Sequence, residues 1–263
     1  MPEGLDKLAA GVGKAIETVP ELYEDALQPA AKESGKTLAL PLQVVNAALS
    51  GVRIWVANRE YKVAETEKLL AKKLENVNPE KVVPPEPYVA VPALQAISYS
   101  VDCEELRELY ANLLAHSMYE DTKNSVHPAF VEIIKQLSPL DARVFKEIMN
   151  RPANPCVHLV YEDSNGIYTR IMQNVTDLSI STPELISVSI DNLHRLKLIY
   201  IPEDGFYTED YLYDPIIKSS FYQTQKRLHP ETSDGFKFSH QKKIIYTTPF
   251  GELFHQICIL DPK

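Results

Sequence analysis

The residues of this 263-residue chain best suited to chemistry sit in SVHPAFVEIIKQLSPLDARVFKEI, residues 125–148. His127 stands there beside Pro128, with Glu132 and Asp141 downstream. An imidazole and a carboxylate can share a proton in general acid–base catalysis, provided that a partner lies within hydrogen-bond reach. The sequence offers no Ser-His-Asp or Cys-His spacing that nominates such a partner. The apolar positions of the same stretch give an architectural account instead. Phe130, Ile133, Ile134 and Leu137 phase as one helical face, and Leu140, Val144, Phe145 and Ile148 as another. Between them Ser138 reads as an N-cap, Pro139 as the first helical residue, and Asp141 stands three positions after the cap. His127 and Pro128 repeat the pattern one helix earlier, a residue held extended before a proline that opens a helix. These five residues are expected to build a corner between domains, and no residue is expected to be catalytic.

Other chemistry has thinner support. Cys156 and His158 alternate along a strand, and His255 and Cys258 share one helical side, so a four-ligand metal site would require those elements to meet. Structural zinc sites normally show close paired spacings, so neither a metal nor a cofactor is expected. GVGK at residues 11–14 lacks the full phosphate-loop spacing and a preceding strand. Glu104, Glu105 and Glu108 with Arg107 read as a solvated helix face.

The positioning elements fall into two groups. Residues 5–19 form an amphipathic pattern ended by Pro20, and a second helix is expected over about 21–33. Residues 38–57 read as a mostly apolar helix with one polar stripe, Gln43, Asn46, Ser50 and Arg53. That stripe suits the seam of a helical bundle, or a conditional membrane-active helix with Trp55 and Arg53 near the headgroups. A charged helix follows that buries Val63, Leu70 and Leu74. The proline-rich stretch 78–92 reads as an extended connector. In VDCEELRELYANLLAHSM, Asp102 is expected to cap a helix whose buried stripe is Leu106, Leu109, Tyr110, Leu113 and Leu114.

From about residue 150 short β-branched and aromatic segments appear, CVHLVY, KLIYI, DYLYD and KKIIYTT, separated by turns such as EDSNG. With helices at 139–149 and 183–197, the predicted order is helix, strand, helix, helix, strand, turn, strand, that of a winged helix. The last segment, TTPFGELFHQICIL, leaves a strand for a helix that turns Phe250, Leu253, Phe254 and Ile257 inward. The expected fold is mainly α with a smaller α+β part: a helical domain over 1–125 packed on a winged-helix-like domain over 126–263.

With 27 basic and 36 acidic residues the net charge is -9, which lacks the positive field of a non-specific nucleic-acid binder. Contacts with DNA would have to be local, through Asn192, His194, Arg195 and Lys197 of the candidate reading helix and the basic Lys242 and Lys243. Glu203, Asp204, Glu209 and Asp210 in the wing would be repelled by phosphate, so a protein partner is expected and a winged-helix DNA-binding regulator is the alternative. Three widely spaced cysteines and an amino terminus carrying Glu3 and Asp6 suit a cytoplasmic protein without an export signal.

PPEPYVAVPALQAISYS, ELRELYANLLAHSMYEDT, VHPAFVEIIKQLSPLDARVFKEI and TTPFGELF together resemble the abortive infection alpha family, over about residues 20–258. The resemblance implies a bacterial cytoplasmic protein of phage defence, in which infection halts growth of the host. It brings no catalytic residue and no cofactor.

Overall fold

The computed structural model describes Leu49 and residues 63–97, 103–233 and 235–263. The patterns at 5–19 and 21–33, GVGK, and the stripe Gln43, Asn46, Ser50 and Arg53 lie outside the described residues. Leu49, within the apolar segment, is helical and 2% exposed. The chain divides into two compact units, one ending at Lys135 and taking in Ile257–Lys263, the other running Gln136–Gln256.

In the first unit the helices are α1 (Val63–Lys73), α2 (Pro87–Ile97), α3 (Glu104–Ser117) and α4 (Ala129–Lys135). The α3 helix packs on α1, α2 and α4, and its Leu109, Tyr110, Leu113 and Leu114 are buried as their spacing predicts. Two local expectations are corrected. The α2 helix starts at Pro87, inside the stretch expected to be an extended connector. Pro87 provides a preset first turn, the Glu86 carbonyl accepts from the Val89 and Ala90 N–H groups, and burial of Val89, Ala90, Ala93, Leu94 and Ile97 outweighs the internal Pro92. The carbonyl that Pro92 leaves unbonded is four residues back, on Tyr88, which is exposed. The second correction concerns α3, whose N-cap is Cys103, not Asp102, with no side-chain capping bond. Asp102 lies outside the described residues.

Three polar side chains on α3 are buried, Asn112, His116 and Ser117, and the first two lie one turn apart. The Asn112 amide donates to the carbonyls of Cys258 and Ile259, each at 3.0 Å. His116 Nε2 lies 3.1 Å from the Leu260 carbonyl, which can only accept, so that nitrogen carries the proton. Two of these carbonyls, those of Cys258 and Ile259, belong to the end of a π-helical turn, His255–Ile259, where backbone acceptors need partners from outside the helix. Burial holds the His116 pKa below its ordinary value. His127 also serves the backbone: its Nδ1 accepts from the Ala129 N–H at 3.1 Å, just after Pro128, and its ring meets Phe130 at 5.9 Å.

The second unit contains α5 (Pro139–Met149), β1 (Pro155–Glu162), β2 (Tyr168–Val175), α6 (Pro183–Arg195), β3 (Ile199–Tyr200), α7 (Asp214–Ile217), α8 (Ser220–Leu228), β4 (Lys237–Ile244), β5 (Tyr246–Thr247) and α9 (Pro249–Phe254). The Ser138 side chain accepts from the Asp141 N–H while Asp141 accepts from the Ser138 N–H, a reciprocal cap that fixes where α5 begins. An antiparallel sheet of order β2-β1-β4 and a separate β3-β5 pair complete the unit, giving a mixed α plus β protein. The segment at 168–175 between β1 and α6 is a strand, where a helix is expected from the sequence, and DYLYD is a 3-10 turn leading into α7. One face of the sheet presents Val157, Leu159 and Val175 to Tyr213, Ile216 and Tyr222. The other face carries His158 directly across from Gln241, and Cys156 across from Lys243. Arg151 closes the unit locally with a two-pronged ion pair to Asp177, both contacts at 2.7 Å.

Candidate functional site

The α6 helix has an N-cap at Thr182, proline at its first position, and two working rows. Ile186, Ile190 and Leu193 are buried. A second row, Ser187, Asp191 and His194, repeats every three or four residues and meets β2. There the Ser187 hydroxyl donates to the Gln173 carbonyl at 2.8 Å, and the two oxygens of Asp191 accept from Gln173 Nε2 at 2.7 Å and Asn174 Nδ2 at 2.6 Å. Asn174 holds a left-handed backbone, φ 55, at the end of a strand whose register with β1 is irregular. Its N–H donates to His158 Nδ1 at 3.1 Å, which places the imidazole proton on Nε2.

These groups form one wall of a polar cavity of about 650 Å³. Arg170 and Lys243 line it with His158 between strands β2 and β4, while Tyr168 and Phe206, Glu203 and Asp204 line the remainder along with His194 and Gln241. Arg170 donates to Gln173 Oε1 at 3.2 Å, and the Lys243 ammonium donates to the Glu203 carbonyl. Among the described residues neither cation has a carboxylate at ion-pair distance. Burial first, then the positive charges of Arg170 and Lys243, push the His158 imidazole down to about 4.

A pH dependence follows. An unfolded histidine binds its proton near pH 6.5, whereas folded His158 does so only near 4. Between those values the unfolded chain carries the extra proton, so stability falls as pH is lowered, by at most ~1.4 kcal/mol per pH unit for this group. His116, His240 and His255 are depressed by burial in the same direction. Urea midpoints measured from pH 7 down to 4.5 are expected to decrease steadily. His158→Asn keeps an acceptor for the Asn174 N–H and removes the titration, so it should flatten the slope; an unchanged slope would contradict this assignment.

Of the residues nominated from sequence, His194 and Lys243 line the cavity. Asn192 and Arg195 are turned the other way, onto the start of α5. The Asn192 amide donates to the Gln136 carbonyl and to Asp141 Oδ2, both at 2.9 Å, and Arg195 donates to Asn192 Oδ1 and to Gln136 Oε1. Base recognition would need those donors for itself. Lys242 pairs with Asp210 and lies 5.3 Å over the Tyr213 ring, and Lys197 is an exposed left-handed residue, φ 60, just past α6. Both cysteines considered as metal ligands are buried, with Cys156 pushed up to about 12 and Cys258 well above its usual value. Among the described residues no three His, Cys, Asp or Glu side chains are placed to hold a metal ion. No helix of the described residues is long and apolar enough to cross a membrane.

Sequence reasoning missed Tyr168, Arg170, Gln173, Asn174 and Phe206. Strand alternation would have found the first two once β2 was recognised, but the irregular β1–β2 register changes which face the later residues take.

Fold and cavity define a mixed α plus β protein with a polar ligand-sized pocket on one face of a small sheet. The model of the abortive infection alpha family matches residues 58–258, well over half of the chain, and the protein belongs to that family. Neither a curated protein nor a solved structure matches it.

Proposed function

We propose that this protein is a bacterial, cytoplasmic phage-defence protein of the abortive-infection type that acts by binding a protein partner and not by covalent chemistry. Membership of the abortive infection alpha family over residues 58–258 carries the defence reading. The absence of catalysis is supported by how the reactive groups are occupied: burial holds the Cys156 and Cys258 thiols protonated, Ser187 donates to a backbone carbonyl, and His158 Nδ1 accepts from a backbone N–H. A winged-helix-like core is supported by the packing of α5 on α6 with the β3-β5 pair following. The membrane-active variant rests on residues 38–57, which lie outside the described residues except Leu49.

Support for a protein partner comes from α6, whose outer side exposes Leu185 and Val188, 53% and 63% accessible, at neighbouring positions three residues apart. The net charge of -9 favours a phage or host protein that presents an apolar centre within a basic rim. Expression of the chain in a phage-sensitive bacterium is expected to reduce plaque number and phage yield while infected cells stop dividing, and strong overexpression alone should slow growth. Plaque counts equal to the empty vector across several unrelated phages would contradict the defence reading.

A further inference from the structure

We propose that the cavity between α6, the sheet and the 201–206 loop is a binding site for a mononucleotide, its phosphate held between Arg170 and Lys243 and its ring against Tyr168 and Phe206. This goes beyond the defence reading and stands on different observations. Two cations line one concave space, and among the described residues neither has a carboxylate at ion-pair distance; of the three acids on the same lining, half-buried Asp191 is already satisfied by the Gln173 and Asn174 amides, and Glu203 and Asp204 are exposed to solvent that screens their charge. An anion entering there gains two charge-assisted contacts and the Nε2–H donor of His158. Lys243 is held by the Glu203 carbonyl and Arg170 by Gln173 Oε1, so both cations are positioned before a ligand arrives. Phosphate alone would leave most of the volume unused: about 650 Å³ suits a ligand of nucleotide size. Tyr168 and Phe206 are 45% and 58% exposed at the same cavity and offer aromatic faces for a flat ring. Glu203 and Asp204, exposed on the same lining, can accept hydrogen bonds from ribose hydroxyls or an exocyclic amine.

The test is calorimetric titration of the full chain with AMP, adenosine and inorganic phosphate at low and moderate salt. AMP is expected to bind, more weakly as salt rises, and more tightly than either adenosine or phosphate. Arg170→Gln and Phe206→Ala, both at exposed positions, should each weaken AMP binding by about tenfold without altering the unfolding midpoint. No AMP binding at millimolar concentration, equal affinity for adenosine or for phosphate, or unchanged affinity in Arg170→Gln would overturn the assignment. None of these outcomes depends on whether the protein blocks phage growth, so the two readings fail separately.

Discussion

Gly251→Ala is expected to destabilise the second unit strongly, although in an open helix the same change would stabilise by about 1 kcal/mol. Gly251 is buried in the first turn of α9, where a Cβ would lie 2.0 Å from the Leu198 carbonyl oxygen, 2.9 Å from its carbon and 3.2 Å from its Cα. The obstacle is backbone and cannot rotate aside. It is fixed there by Thr248, whose N–H donates to the Leu198 carbonyl and whose hydroxyl donates to the Lys197 carbonyl at 2.6 Å while accepting from the Gly251 N–H at 2.9 Å. Admitting a methyl group would separate α9 from the end of α6 and disturb Phe254, which is fully buried and meets Phe145 edge-on at 5.7 Å. The cost should reach the upper end of the ~1–3 kcal/mol typical of overpacked sites, or exceed it. Urea unfolding followed by tyrosine fluorescence or circular dichroism reads it directly. A variant as stable as the wild type would mean that the close approach of α9 to Leu198 is wrong.

What could be read from the sequence was whatever local chemistry decides. Ser138 and Asp141 cap α5 reciprocally, Thr182 and Pro183 open α6, and the EDSNG turn closes on Asp163 Oδ1 with Gly166 at φ 78, each as residue type and spacing require. The helix from Pro87 escaped because an internal proline disfavours helix locally, and only burial in the assembled unit outweighs that preference. The strand at 168–175 escaped because its first three residues are exposed and its register with β1 is irregular. The cavity was the least legible feature. Its walls come from β1, β2, β4, α6 and the loop after β3, so no single stretch carries its signature. Asn192 and Arg195, natural base-reading residues by type, are instead engaged with Gln136 and Asp141, a destination that only packing of α6 on α5 could reveal.

The second large effect concerns function and should leave the fold intact. Replacing Leu185 and Val188 together by aspartate changes only the exposed side of α6, since its packing row is Ile186, Ile190 and Leu193. Surface changes of this kind normally alter stability by less than about 0.5 kcal/mol each, and acids near the first turn suit the helix dipole. At a protein interface the same pair would bury two charges without partners, a loss that residues at the centre of such contacts do not tolerate. The measurement that bears most directly on action through a protein partner is phage plating on cells producing equal amounts of wild type and of the Leu185→Asp, Val188→Asp double variant, with unfolding midpoints determined on both purified proteins. Matching midpoints together with plaque counts restored to the empty-vector level are the predicted result; full protection by the folded double variant would contradict it.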